Sequence, residues 1–238
     1  MRALILAAGI GSRLGEAAGG APKTLMRIGD TPILGRILHD LVAADIHDVV
    51  IATGYQQEHI HAYIEHEPAF KLLRIQYVHN PLFAETNYIY SMWLARKELE
   101  GADILSFHGD MVYDPALLTR LLGLEGSAVF VQRHGSVPEK DFKARVHGGR
   151  ITEIGVHVFG ENARACMPVY KLLSQDFAVW MEHIDRYVQS GETRRYAEDA
   201  FNDAAGQIDL SPLYYQDELC MEVDTAEDLQ RAVDLLQL

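Results

Sequence analysis

The stretch RALILAAGIGSRLG, residues 2–15, begins with an unbroken apolar run and breaks into a glycine-rich turn that contains an arginine. Continuous aliphatic residues bounded by glycine are typical of a strand that is buried on both faces. The turn is not a dinucleotide fingerprint, because Leu14 stands where its third glycine belongs. It is not a phosphate loop either, because Pro22 stands in place of the glycine before Lys23. An ordinary tight connection between a strand and a helix, without a ligand, is the alternative to a binding site here.

Composition excludes several classes of partner. The 238 residues carry a formal net charge of −13 and show no basic cluster, which argues against nucleic acid. No apolar run approaches the about 18 residues of a membrane span, and the N-terminal run is too short for an export signal. The cysteines Cys166 and Cys220 form no CxxC pair and are expected to be reduced thiols. We therefore expect a cytoplasmic protein that binds neither nucleic acid nor membranes.

Apolar segments alternate with helical patterns along the first half of the chain. Strands are predicted at 2–8, 48–54, 73–80 and 102–110, and helices at 32–44, 56–66, 87–100 and from Pro115 onward, with Asp114 as the N-cap. This alternation predicts an α/β fold with a Rossmann-like, doubly wound and mostly parallel mixed sheet.

The second half has a different rhythm but no linker. A strand is predicted at 127–133, a hairpin at 143–154 that turns at Gly148-Gly149, a helix at 175–191, and a strand followed by a helix within 220–237. Thr225 and Asp228 have the spacing of a capping box at that last helix. One domain over 1–238 is therefore expected. The apolar face of the 175–191 helix belongs either to the core or to the interface of a homodimer.

Cationic residues follow the glycine turn at close range. Gly9 and Gly11 allow backbone N–H groups to approach an anion, and Arg13 and Lys23 add positive charge that the acidic chain otherwise lacks. The combination favours a site for an anionic ligand over an empty turn.

These motifs together resemble a known superfamily. The pattern Leu6-Ala7-Ala8-Gly9, Gly11-Ser12-Arg13 and Pro22-Lys23 resembles the nucleotidyltransferases that make nucleotide-diphosphate sugars, alcohols and amines. The resemblance continues at VIATGY (50–55), FHGDMVYD (107–114) and EVDTAEDL (222–229). The segment ETNYIYSMWLA (85–95) resembles the small cytidylyltransferases that act on phosphocholine or 2-aminoethylphosphonate. The resemblance implies a GT-A-like fold, with nucleotide bound by about residues 1–115 and acceptor by about 116–238.

The resemblance also implies the reaction. A phosphate or phosphonate oxygen of the acceptor attacks the α-phosphorus of a nucleoside triphosphate, and pyrophosphate leaves, with Mg²⁺ as the cofactor. Asp110 and Asp224 are the expected metal ligands, since each follows an apolar strand and would lie at the carboxyl edge of the sheet. Lys23 and Arg13 are expected to hold the triphosphate, and Lys143 the acceptor phosphate. His108 is interpreted as a strand residue and not as a metal ligand.

The base and the acceptor are assigned by the same resemblance, which favours CTP. The expected nucleotide contacts are Leu6, Ala8, Gly9, Gly11, Arg13, Lys23, Gly54, Tyr55, Asn87 and Ser91. Asn87 is at the same time a good helix N-cap. The expected acceptor contacts are Asp141, Phe142, Lys143, Tyr196, Glu198 and Asp199. Asp141 stands where the phosphocholine enzymes tend to carry an aromatic residue, which favours a primary amine such as 2-aminoethylphosphonate.

Three other functions compete with this interpretation. They are a sugar-1-phosphate nucleotidyltransferase, a non-catalytic nucleotide-binding module and a dehydrogenase. The dehydrogenase is disfavoured because no acidic residue ends the second predicted strand, where one would bind the ribose.

Overall fold

The computed structural model describes residues 1–11, 20–135 and 139–236. The strands are β1 Arg2–Ala7, β2 Arg27–Ile28, β3 Thr31–Pro32, β4 Asp48–Thr53, β5 Arg74–His79, β6 Ile104–His108, β7 Met111–Tyr113, β8 Ser127–Gln132, β9 Lys143–His147, β10 Arg150–Gly155, β11 Ala163–Leu172, β12 Leu210–Tyr215 and β13 Cys220–Glu222. The helices are α1 Ile33–Ala43, α2 Gln57–His66, α3 Tyr88–Leu99, α4 Pro115–Leu122, α5 Ser174–Gln189, α6 Ala197–Ala204 and α7 Ala226–Leu235, with 3₁₀ turns at Lys23–Leu25 and Pro68–Leu72.

Nine of these strands form one mixed sheet. Its order is β10-β9-β11-β6-β1-β4-β5, and β8 pairs with β11 and with β12. The strands of the first half, β6, β1, β4 and β5, run parallel, whereas β11 runs antiparallel to β6, β8 and β9. The predicted fold class, an α/β protein with a Rossmann-like mixed sheet, is confirmed.

Strand β1 lies at the centre of the sheet and is buried on both faces, as its unbroken apolar sequence predicts. Leu4 and Leu6 pack into the core under α3, α5 and α6. Ala3 and Ile5 pack into the opposite core under α1, α2 and α4. Because successive side chains of a strand point to opposite faces, one apolar run supplies both cores.

Local sequence signals correctly predict where several elements begin and turn. Asp114 caps α4 by accepting a hydrogen bond of 2.9 Å from the N–H of Ala116. Thr225 and Asp228 form the predicted capping box of α7. The β9–β10 hairpin turns at Gly148-Gly149, where both residues have positive φ. Among the described residues, no helix has the length and apolar composition needed to cross a bilayer.

The apolar face of α5 belongs to the core of the chain. Phe177, Trp180, Met181 and Ile184 are all buried against the sheet and α6. Of the two alternatives that the sequence leaves open for this face, burial within the chain therefore accounts for it without a second subunit.

Two strands of the nine-stranded sheet, β11 and β12, are not predicted by the pattern analysis, and both contain a proline. Pro168 lies in the middle of β11, where the pairing with β8 shifts register between Met167 and Tyr170. Pro212 lies in β12, which among the described strands pairs with β8 alone and so forms an edge. Bulges and edge strands are where a sheet tolerates proline, because the missing N–H costs no ladder hydrogen bond there.

A separate two-stranded sheet connects the middle of the chain to its C-terminal part. Strand β13 pairs antiparallel with β7, so that Cys220 lies opposite Tyr113 and Glu222 opposite Met111. The N–H of Val223 also donates to the carbonyl oxygen of Asp110 at 3.0 Å. This pairing carries the segment around residue 224 to the carboxyl edge of the main sheet.

Candidate active site

The carboxyl ends of β1, β4 and β6 form the floor of the site. The N–H of Tyr55, just after β4, donates to the carbonyl oxygen of Ala8 at 3.1 Å. A Cβ at Gly54 would lie 2.6 Å from that same oxygen and 2.6 Å from the Cβ of Phe83. The close approach of the two strand ends therefore requires a glycine at position 54. Gly54 was selected from the sequence as a nucleotide contact, and the structure shows a packing role for it.

Asp110 lies in a tight turn between β6 and β7. The sequence interpretation placed it before a helix, and this is wrong, because β7 comes between the turn and α4. The N–H of Gly109 donates to the carbonyl oxygen of Leu6 at 2.9 Å. A Cβ at Gly109 would lie 2.6 Å from Cγ2 of Thr24 and 2.8 Å from that oxygen. The glycine thus allows the turn to press against β1 and the Lys23–Leu25 turn, which brings Asp110 to the site.

Lys23 joins Asp110 to Asp224. Its Nζ donates to Oδ2 of Asp110 and to Oδ1 of Asp224, which lie 87 and 201 residues away in sequence. Burial lowers the pKa of Lys23, but the charges and hydrogen bonds of the two carboxylates outweigh burial and leave the pKa raised. The ammonium form is therefore favoured, and it holds two like charges together.

A cavity of about 430 Å³ opens over these three side chains. Its described walls also include Leu6, Ala7, Gly9, Gly11, Thr24 and Asn87. The volume is that of a small-molecule site. A Cβ at Gly11, whose φ is +66°, would lie 2.7 Å from the Cβ of Lys23, so the glycine turn rests on the lysine stem. Arg13 lies outside the described residues.

The residues around Asp110 fit a divalent cation. Oδ1 of Asp110 is buried and has no hydrogen-bond partner. Ligand atoms of His108, Asp110 and Glu222 all lie within 4.8 Å of one another. Carboxylate oxygens are the ligands that Mg²⁺ prefers, and a second positive charge would satisfy the orphaned oxygen. Asp110 is the residue that this group shares with the predicted pair Asp110 and Asp224, and its orphaned oxygen suits a cation.

His108 and Glu222 form a second ion pair beside the first. Nδ1 of His108 lies 3.4 Å from Oε1 of Glu222. Burial lowers the pKa of His108, but the hydrogen bond to Glu222 and the neighbouring carboxylates outweigh it and leave the pKa raised. Burial also raises the pKa of Glu222.

The sequence interpretation took His108 as a strand residue and did not select Glu222, although the sequence contains a signal for both. His108 precedes Asp110 by two residues, and Glu222 precedes Asp224 by two. In an extended chain this spacing places both side chains of each pair on one face.

A second cavity, of about 190 Å³, adjoins the first and shares Leu6, Gly9, Asn87 and Asp110 with it. Ala8 and Ser91 line this cavity, as predicted for nucleotide contacts. Ser91 accepts a hydrogen bond of 3.0 Å from Nδ2 of Asn80. Asn80 also lines this cavity, although it is not among the nucleotide contacts predicted from the sequence. Oδ1 of Asn87 accepts from the N–H of Tyr88 at 2.8 Å, so Asn87 caps α3 while it lines both cavities.

Aromatic rings from four segments of the chain cluster beside the second cavity, which Tyr88 and His108 line. The centroid of Tyr88 lies 4.5 Å from His108 and 6.0 Å from Tyr196, and Phe142 meets Tyr196 edge-on at 5.0 Å. Behind Tyr88, the carboxylate of Glu198 accepts hydrogen bonds from the hydroxyls of Tyr88 and Tyr170. Glu198 is 1% exposed, so it supports the ring of Tyr88 and does not itself line the cavity.

The other predicted acceptor residues lie at different places in the structure. Asp141 lines a third cavity, of about 240 Å³, together with Glu222 and Asp224, and burial raises its pKa. Asp199 accepts from the N–H of Tyr196 at 3.3 Å and serves the N-terminus of α6. Lys143 is buried, with Nζ 2.8 Å from the carbonyl oxygen of Glu139 and 4.2 Å from the Phe159 ring centroid. It does not line any of these three cavities.

Comparison with known proteins gives a consistent family. Residues 3–237 match the MobA-like NTP transferase domain. A CMP-5'-(3-aminopropyl)phosphonate synthase of Streptomyces rubellomurinus is 39% identical over 134 residues, which are 56% of this chain and 21% of that protein. A 2-aminoethylphosphonate cytidylyltransferase of Lancefieldella rimae is 23% identical over 95% of this chain and 89% of its own length. The chain spans less than half the length of the first curated relatives it matches.

A solved structure shares the fold. The CTP:phosphocholine cytidylyltransferase of Streptococcus pneumoniae superposes with a TM-score of 0.78 over 99% of this chain and 98% of its own, at 21% identity.

Replacing Tyr170 by Phe tests the buried support of Tyr88. The change leaves an oxygen of Glu198 without its 2.8 Å donor in a buried place. We expect a loss of about 1–3 kcal/mol in the free energy of unfolding, measured by urea denaturation. Tyr187→Phe is the matched control, because Tyr187 donates to the solvent-exposed Asp203 at the same distance and its loss should cost only about 0.5 kcal/mol. Equal losses in the two variants would contradict a buried support.

Proposed function

The chain belongs to the MobA-like NTP transferase domain family, and from that premise we propose that it transfers CMP from CTP to a small phosphorylated or phosphonate amine, with release of pyrophosphate. The observation that carries the proposal is the convergence of Lys23, Asp110 and Asp224 at the mouth of one cavity. These residues come from three distant parts of the chain, and a simple structural role for a surface turn does not require them to meet.

The proposed reaction needs alignment and charge neutralisation. An oxygen of the acceptor phosphate or phosphonate forms a bond to the α-phosphorus of CTP, while the bond from that phosphorus to the bridging oxygen of pyrophosphate breaks. The acceptor oxygen is already anionic, so no general base has to remove a proton from it. The protein's contribution is therefore to hold the two reactants in line and to stabilise the negative charge that moves to the leaving group.

Particular side chains are assigned to these tasks. Lys23 would bind the triphosphate together with backbone N–H groups of the turn at Gly9 and Gly11. Arg13 remains the proposed second cation for the same phosphates. Asp110 and Asp224 would hold Mg²⁺, which when bound neutralises phosphate charge and favours departure of pyrophosphate.

The two smaller cavities support the choice of base and acceptor. Asn80, Asn87 and Ser91 offer amide and hydroxyl groups beside the end of β1, which suits the polar edge of a pyrimidine. The rings of Tyr88 and Tyr196 would face the acceptor amine, which aromatic faces and nearby carboxylates attract. The printed activities of the Streptomyces and Lancefieldella relatives are the further support for an aminophosphonate acceptor. We assign the nucleotide to about residues 1–115 and the acceptor to about 116–238.

The proposal is tested by pyrophosphate release in the presence of Mg²⁺. Each of ATP, CTP, GTP and UTP is combined with phosphocholine, phosphoethanolamine, 2-aminoethylphosphonate and hexose-1-phosphates. We expect CTP with one of the amines to exceed every hexose phosphate by at least about tenfold in kcat/KM, because the aromatic and acidic groups favour a cationic acceptor. Turnover confined to hexose phosphates would replace this proposal with a sugar-1-phosphate nucleotidyltransferase.

Replacement of either aspartate by asparagine should remove most turnover. Asp110→Asn and Asp224→Asn keep the side-chain shape but remove a charge that the reaction requires, so we expect a loss of at least about 100-fold in kcat. Asp114→Asn is the matched control, because Asn caps a helix as well as Asp does and residue 114 lies outside the cavity. Near-normal turnover of Asp110→Asn or Asp224→Asn, with the same melting temperature as wild type, would refute the role of that aspartate as a metal ligand.

A further inference from the structure

The ion pairs of Lys23 have a consequence for the order in which ligands bind. We propose that Lys23 is a built-in substitute for the divalent cation: without nucleotide, its ammonium group occupies the place between Asp110 and Asp224, and the cation enters only together with the triphosphate. This inference rests on the proposed function, since it uses the same two aspartates as ligands.

The geometry makes the two occupants exclusive at the carboxylate oxygens that Lys23 uses. The Nζ of Lys23 donates to Oδ2 of Asp110 and to Oδ1 of Asp224, so both oxygens lie within reach of one ammonium group. The three side chains are only 12%, 20% and 21% exposed, so water does not screen their attraction fully. A cation that bridged the same oxygens would have to displace the ammonium group. An isolated Mg²⁺ must also shed tightly held water to do so, which it does reluctantly.

The stem of Lys23 is held in this position by its surroundings. Lys23 opens the 3₁₀ turn directly after Pro22, whose fixed φ restricts the approach of the chain. Gly11 rests on its Cβ, where any larger residue would collide. The backbone of Lys23 therefore starts from a restricted position beside the glycine turn, from which its side chain reaches both aspartates.

A triphosphate would offer Lys23 a competing partner. Lys23, Gly9 and Gly11 line the same cavity, so phosphate oxygens bound at the glycine turn would lie within reach of the ammonium group. When Lys23 turns to the phosphates, the two aspartates lose the positive charge that Lys23 supplied, and the cation that accompanies the nucleotide is drawn to them. The substitute thus keeps the acidic site stable when empty and couples arrival of the cation to arrival of the nucleotide.

The test measures Mn²⁺ binding without nucleotide or acceptor, by the loss of the free-ion signal in electron paramagnetic resonance. We expect Lys23→Gln to bind Mn²⁺ at least about tenfold more tightly than wild type, because the neutral amide no longer competes for the aspartates. Lys140→Gln is the matched control. It removes the same charge from an exposed lysine 3.7 Å from Asp228 and should change the affinity by no more than about twofold. The double variant Lys23→Gln/Asp224→Asn should lose the gain.

Equal affinity in wild type and Lys23→Gln would overturn the inference, and so would an equal gain in Lys140→Gln. Should Lys23→Gln fail to fold, a comparison of Mn²⁺ affinity between wild type and Asp224→Asn tests the proposal instead. With Lys23 in place, we expect the two to bind Mn²⁺ within about threefold of each other. Binding to wild type at least about tenfold tighter than to Asp224→Asn would show an open site and contradict the proposal.

Failure of this inference is separable from failure of the proposed function. The function is measured as pyrophosphate release by the wild-type chain, and the Mn²⁺ titration contains no CTP. If the wild-type chain is active and Lys23→Gln gains no affinity for Mn²⁺, the proposed function stands and only the proposed order of binding is rejected.

Discussion

The contact of one ammonium group with two carboxylates is the constraint on which the rest of the site depends. The chain is strongly acidic, with a formal net charge of −13, so its overall field repels polyphosphates. Binding of an anion must therefore come from a few local groups. Lys23 supplies one, the glycine turn at the end of β1 supplies backbone donors, and Asp110 and Asp224 suit a divalent ion that would supply more charge. Each of these groups is useful only if the others are within a few ångströms.

The fold brings these groups together through close backbone contacts. Gly54 and Gly109 let two chain segments press against the end of β1, at distances that no Cβ would allow. The pairing of β13 with β7 then carries Asp224 to the same edge from the far end of the chain. The central strand is buried on both faces, which makes this edge a rigid platform. A rigid platform matters because catalysis by alignment tolerates little displacement of the reacting atoms.

The sequence predicts the parts of the fold that are encoded locally. The apolar runs of β1, β4 and β6, the cap at Asp114 and the Gly148-Gly149 hairpin can all be recognised from a few neighbouring residues. The meeting of Asp110 and Asp224 was predicted from their positions after apolar strands and from resemblance. Strands β11 and β12 were missed because their prolines are acceptable only in a bulge and at an edge, which are properties of the assembled sheet. Local patterns draw attention to Glu198 and Glu222, but they do not reveal the partners Tyr88 and His108, which lie more than 100 residues away.

Lys23 joins the two aspartates in the free chain, and we propose that the aspartates hold a divalent cation beside bound nucleotide. Anomalous diffraction from a crystal grown with Mn²⁺ and CTP distinguishes these two states. We expect one strong peak within about 2.0–2.4 Å of a carboxylate oxygen of each aspartate, with the Lys23 ammonium group moved to the phosphates. A peak bound elsewhere, or nucleotide bound while Lys23 still bridges Asp110 and Asp224, would refute this assignment.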